Sequence, residues 1–150
     1  ASLFGGIASL GMYRDTAHRN HLKLAHKYRS RLEKALTFGS PNAGPFLALL
    51  CAEQLSVRKR VNVDSVSAAY DRAVSAMAEA HLFHLEALAN ERAGFYHAKV
   101  ARDGPKAEEY FDRALNLYKY KWGAIGKYEW LLEKKSQALV RLVTSSSVQT

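Results

Sequence analysis

The sequence predicts an all-α protein of about seven helices, folded as stacked helical hairpins in a right-handed superhelix. Three observations predict it. Apolar residues recur at spacings of three and four along almost the whole chain, and the strict alternation of a half-buried strand is absent. The phrase AYDRAV at Ala69–Val74 returns as YFDRAL at Tyr110–Leu115, so one helical unit is written twice. A length of 150 residues, with 48% hydrophobic and 24% charged side chains, is one domain's worth of globular chain and enough to bury a single core.

The opening ASLFGGIASLGM is apolar for about a dozen residues, too short to span a bilayer and without the basic flank of a signal peptide. It reads as a helix entered mid-phrase, as in a fragment of a longer chain. A second helix, about 16–37, places Leu22, Ala25, Tyr28, Leu32, Ala35 and Leu36 on one stripe. It stops at FGSPNAGP, where Gly39 suits a left-handed cap, Ser40 an N-cap and Pro41 a first helical position.

A third helix, about 45–58, is apolar on most sides at FLALLCA and so is central, with Cys51 as a small core residue. A single cysteine excludes an internal disulfide and a cysteine-based zinc site. A fourth helix, capped by Asp64 or Ser65, runs to about 80; a fifth, about 82–101, ends at ARDGP, and a sixth starts at Asp103–Pro105 and continues to 121. Trp122, Gly123 and Ala124 turn the corner into a seventh, about 124–142, carrying Ile125, Tyr128, Leu132, Leu139 and Leu142. The predicted domain is 1–143, with TSSSVQT at 144–150 as a linker or disordered tail.

The fourth and sixth helices superpose Val66, Tyr70 and Ala73 on Ala107, Phe111 and Ala114, and the helices before them align at about thirty-eight positions, LLCAEQLSV over LANERAGFY. The repeated unit is therefore a helical hairpin, which must stack on neighbours to bury its apolar face. The small, aromatic, small spacing of Ala107, Phe111 and Ala114 is that of the second helix of a tetratricopeptide repeat. In the first helix Ala93 and Tyr96 stand for its small residue and tyrosine, but the distance from Tyr96 to Ala107 is longer than the motif prescribes.

Glu53 and Glu91 hold equivalent places in the two first helices, inside apolar surroundings. Each is expected to clamp its hairpin by a charge-assisted hydrogen bond, Glu53 with Arg72 and Glu91 with Arg113. Standing a repeat apart, the two carboxylates fall on successive units and not across one cleft, which disfavours paired acid and base work.

Several phrases in order, LFGGIASLGMYR, SPNAGPFLALLCAEQ, HLEALANERAGFYHAK and KAEEYFDRALNLYKYKWGAIGK, cover about residues 3–132. Together they resemble the helical segment of very large signalling ATPases, in which a serine/threonine-kinase-like domain and a P-loop ATPase precede the segment and a GAF sensor, often with a histidine kinase, follows it. The resemblance implies a tetratricopeptide-like superhelix joining an ATPase switch to an output module. It transfers no catalytic residue, because the Walker lysine, kinase motifs and phospho-accepting histidine of that family lie outside this segment. The Val61–Asp64 connection and the basic second helix have no counterpart in the family pattern.

The formal charge is +8, from 22 Lys and Arg against 14 Asp and Glu. The densest cluster spans Arg14 to Lys34, but its cations fall around much of the helix and no RNA-binding or recognition-helix signature accompanies them. A solvated helix facing an acidic neighbour is the favoured reading; a nucleic-acid-binding helical repeat using Arg19, Lys23, Lys27 and Arg31 is the lesser one.

No phosphate-cradling G-x-x-x-x-G-K-S/T loop occurs, and Gly5-Gly6 sits in a helix-like run. Among six histidines, His81 and His84 are the best-spaced pair for a metal, yet no Cys or carboxylate joins them at ligand spacing; His18, His21 and His26 read as parts of a polar face. Of the late aromatics, Phe111 and Tyr118 belong to the core stripe, while Tyr120, Trp122 and Trp130 pack the last corner or await a neighbour. No catalytic, cofactor-binding or metal-binding residue is assigned. The expected function is a non-enzymatic, cytoplasmic scaffold for protein–protein interaction or signal relay within a signal-transduction ATPase or kinase. Its partners would be neighbouring domains or another protein, with no membrane; a free-standing basic adaptor is the alternative.

Overall fold

The computed structural model describes residues 2–148. Seven α-helices and no strand make up the described residues: α1 (Ser2–Thr16), α2 (Arg19–Thr37), α3 (Ala43–Ser56), α4 (Val63–Glu79), α5 (Phe83–Tyr96), α6 (Gly104–Asn116) and α7 (Ile125–Val148). They gather into two compact units that divide between Ala80 and His81. No described helix is long and apolar enough to cross a membrane.

In the first unit α1 packs on α2 and α3, α2 on α3, and α3 pairs with α4 as a hairpin. Leu3 and Leu10 of α1, Leu49 and Leu50 of α3, and Val66 and Tyr70 of α4 are buried. A Cβ on Gly6 would come within 2.6 Å of the Leu50 side chain, so the absence of a side chain there lets α1 lie against α3. On the predicted α2 stripe Ala25 and Leu32 are buried, whereas Leu36 is exposed.

The helix ends follow local chemistry. Gly39, at φ +82°, ends α2, and the Ser40 N–H donates to the Ala35 carbonyl at 3.0 Å. Ser40 and Pro41 then lie in the turn, because α3 begins only at Ala43. Asn62, not Asp64 or Ser65, caps α4: its Oδ1 accepts from the Asp64 N–H at 2.7 Å.

In the second unit α5 and α6 form the matching hairpin and α7 packs on α6. Both α5 and α6 finish in π-helical turns, His97–Ala101 and Leu117–Trp122, closed by left-handed Arg102 and Gly123. Asp103 N–H donates to the His97 carbonyl and Ala124 N–H to the Tyr118 carbonyl, each at 2.8 Å. A π turn takes in one more residue than an α turn, which accommodates the long Tyr96-to-Ala107 spacing. Asp103 caps α6 by accepting from the Lys106 N–H at 3.0 Å, with Pro105 in the first turn.

The repeat residues Tyr70 and Ala73 of α4, and Ala107, Phe111 and Ala114 of α6, are all buried. On α5, a Cβ at Gly94 would stand 2.7 Å from the Phe111 ring, so the aromatic of α6 seats directly on the backbone of α5. One boundary departs from expectation: α7 continues to Val148, through residues predicted as linker. The Thr144 hydroxyl donates to the Val140 carbonyl and the Ser145 hydroxyl to that of Arg141, so these polar side chains serve the helix that composition alone argues against. The last two tail positions, 149–150, lie outside the described residues.

Candidate functional site

Each unit holds one buried carboxylate with its charge compensated. In the first, Glu53 on α3 is fully buried. The Tyr70 hydroxyl of α4 donates to its Oε1 at 2.6 Å, and Arg14 of α1 donates to its Oε2 at 3.0 Å. Arg14 also donates to the Ser56 hydroxyl at 2.8 Å, and that hydroxyl donates to the Glu53 carbonyl at 2.6 Å. One side chain thus ties three helices, because a buried carboxylate is tolerated only where hydrogen bonds and a cation replace water.

In the second unit Glu91 on α5 is the counterpart, 3% exposed. The Tyr118 hydroxyl, at the start of the π turn ending α6, donates to Oε2 at 2.5 Å, and Lys127 of α7 donates to Oε1 at 3.1 Å. Burial, then the Glu91 charge and hydrogen bond, push the Tyr118 phenol far above its ordinary range. Lys127 also lies 3.8 Å over the Trp130 ring, so its ammonium is shared between a carboxylate and an aromatic face.

Both carboxylates stand where the sequence places them, but their cations are corrected. The guanidinium on Glu53 is that of Arg14, and Arg72 is exposed. Arg113 pairs with Glu109 on its own helix and lies over the Tyr110 ring, while the cation on Glu91 is Lys127. The reason is helical geometry: at about 100° per residue, Arg72 is roughly 200° around α4 from Tyr70, and Arg113 the same from Phe111, on the faces turned away from the buried stripe. Sequence reasoning missed Arg14, Tyr118 and Lys127. Their signal was a tyrosine on the stripe of α6 and a lone cation at the hairpin-facing end of each flanking helix.

The histidines do not assemble. His81 lies in the turn before α5 at φ +56°, not on one helical face with His84. His84 packs against Trp122, with ring centroids 5.7 Å apart. His97 is buried and stacks on Tyr110 at 5.3 Å. Among the described residues no three His, Cys, Asp or Glu side chains group as a metal ion would require.

Among the surface grooves of the second unit are two that run along α7. One, about 530 Å³, is an apolar stripe along α7 with Leu132, Leu139, Val140 and Val143. The other, about 330 Å³, lies between α5 and α7 and is basic, with Arg92, Lys99, Lys134 and Arg141. Glu53 and Glu91 line neither groove. Their carboxylate oxygens are engaged inside the units, an arrangement suited to holding helices. Tyr120 and Trp122 are exposed. No protein-family model, no curated protein and no solved structure matches this chain.

Proposed function

We propose that this chain is a non-catalytic helical-repeat scaffold for protein–protein interaction or signal relay, with α3–α4 and α5–α6 as successive hairpins of a tetratricopeptide-like right-handed array. The observation that carries the reading is the pair of buried nodes, Glu53 with Tyr70 and Arg14, and Glu91 with Tyr118 and Lys127. Committing two buried carboxylates to locking helices makes rigid units whose outer faces stay open for partners. Exposed Leu132, Val140 and Val143 on α7 support the same reading.

The resemblance to the helical segment of signalling ATPases gives the scaffold its proposed setting, a cytoplasmic relay between an ATPase switch and an output module. Sequencing the transcript on both sides of the segment tests it. An upstream P-loop ATPase and a downstream GAF domain or histidine kinase are expected. A start codon directly before the segment and a stop directly after it would overturn the relay and leave a free-standing basic adaptor.

A further inference from the structure

The groove between α5 and α7 presents Arg92 and Lys99 from one wall and Lys134 and Arg141 from the other, over Phe95 and Trp130. No carboxylate is among the residues lining it; Gln137, which also lines it, donates to Glu133 at 3.3 Å. An adjoining hollow of about 280 Å³ shares Lys99 and Arg141 and adds Arg102, so the basic surface continues past the end of α5.

The cations are regularly placed. On α7, Lys127, Lys134 and Arg141 are seven residues apart, and seven residues of α-helix rise about 10 Å; on the opposite wall Arg92 lies on α5 and Lys99 in the π turn that ends it. Phe95 faces Trp130 near one end, and Lys99 shares lining with Arg141 further along both helices, so the two rows run in the same direction. The floor is held in place: the Phe95 ring meets Phe111 edge-on at 5.1 Å and Trp130 at 6.3 Å. Lys127, bound to Glu91 and lying over Trp130, ties the same floor to the buried node. An aromatic floor held in this way loses little side-chain freedom when a ligand arrives.

We infer that this groove docks an acidic protein segment whose carboxylates lie about 10 Å apart, the spacing of every third side chain along one face of a polyproline-II chain, which rises about 3.1 Å per residue with three residues per turn. Charge complementarity selects the occupant. A nucleic-acid strand carries one charge per about 3.4 Å along its axis, three times too dense for cations at this spacing. It would also need bare ring faces for its bases, whereas Lys99 lies 4.8 Å over Phe95 and Lys127 covers a face of Trp130. The inference rests on the scaffold reading for the class of partner and is independent of the ATPase setting.

The test uses the whole chain and a fluorescein-labelled peptide of about twelve residues, with Glu at every third position, followed by anisotropy at about 50 mM salt, where exposed charge pairs are weakly screened. Lys99→Glu with Arg141→Glu is expected to weaken binding at least about tenfold, equivalent to about 1.4 kcal/mol. The milder Lys99→Gln with Arg141→Gln, which keeps the exposed positions polar, is expected to weaken it about threefold. Lys23→Glu with Lys27→Glu on α2 should change it less than about twofold, and circular dichroism should show helicity kept in all three variants. The inference is overturned if the unaltered chain does not bind the peptide, or if the α2 variant loses as much as the groove variants. It is equally overturned if an oligothymidylate of matched charge binds more tightly than the peptide and depends on the same residues. Flanking sequence without an ATPase would leave a positive binding result intact, so the two readings fail separately.

Discussion

The Tyr118 hydroxyl reaches Glu91 across twenty-seven positions of sequence at 2.5 Å, and both groups are buried. The bond joins the end of α6 to the middle of α5 and supplies one of the donors that satisfy a carboxylate buried inside the second unit. Replacing Tyr118 with Phe keeps the ring and deletes the donor, leaving Glu91 Oε2 buried and short of a partner. The expected cost is about 1–3 kcal/mol, read as a lowered urea midpoint at unchanged slope. A loss below about 0.5 kcal/mol would mean that water or another donor fills the place.

Gly94 and Gly11 should respond in opposite directions to alanine. At Gly94 the new methyl would meet Phe111 at 2.7 Å, and overpacking of this kind costs about 1–3 kcal/mol. At Gly11, on α1, nothing stands within 4 Å, so the helix propensity of alanine should raise stability by about 0.5–1 kcal/mol. Thermal melting of the two variants checks both signs. A higher melting point for Gly94→Ala would show that Phe111 yields its seat without cost.

The helices and the buried stripe were legible because periodicity is a local property: Tyr70, Ala73, Ala107, Phe111 and Ala114 repeat one face, and that face is inside. Glu53 and Glu91 were legible as structural carboxylates from their apolar surroundings. Their partners were not, since Arg14 and Lys127 come from α1 and α7, whose packing on the hairpins is a tertiary fact that spacing within the hairpin does not contain. The π turns were legible only as a spacing too long for the repeat. The tail was misread because Ser and Thr disfavour helix on average, while here Thr144 and Ser145 bond back to their own turn.

Cys51 is predicted to be a sluggish thiol. Burial raises its pKa, only partly opposed by the nearby charges of Arg29 and Arg72, and Glu33 raises it further. Because the thiolate is the nucleophile, alkylation by iodoacetamide at about pH 8 should be at least about fivefold slower in the folded chain than in urea. Equal rates in the two states would show that Cys51 is open and its thiol unperturbed.

Alkaline pH should unfold the second unit in part through Tyr118. Its phenol keeps its proton when folded at a pH where the unfolded chain releases it, because burial and Glu91 both penalise the phenolate. Above the ordinary tyrosine pKa of about 10 the unfolded state therefore binds fewer protons than the folded state, and stability falls as pH rises. The contribution is fully present below about pH 10 and is lost above it at about 1.4 kcal/mol per pH unit for this group. Tyr96, raised by burial, acts in the same direction. In Tyr118→Phe the decline of stability between about pH 10 and 12 should be shallower by about one such proton's worth, measured by urea unfolding at each pH. Parallel curves for the variant and the unaltered chain would show that Tyr118 does not hold its proton against the unfolded state.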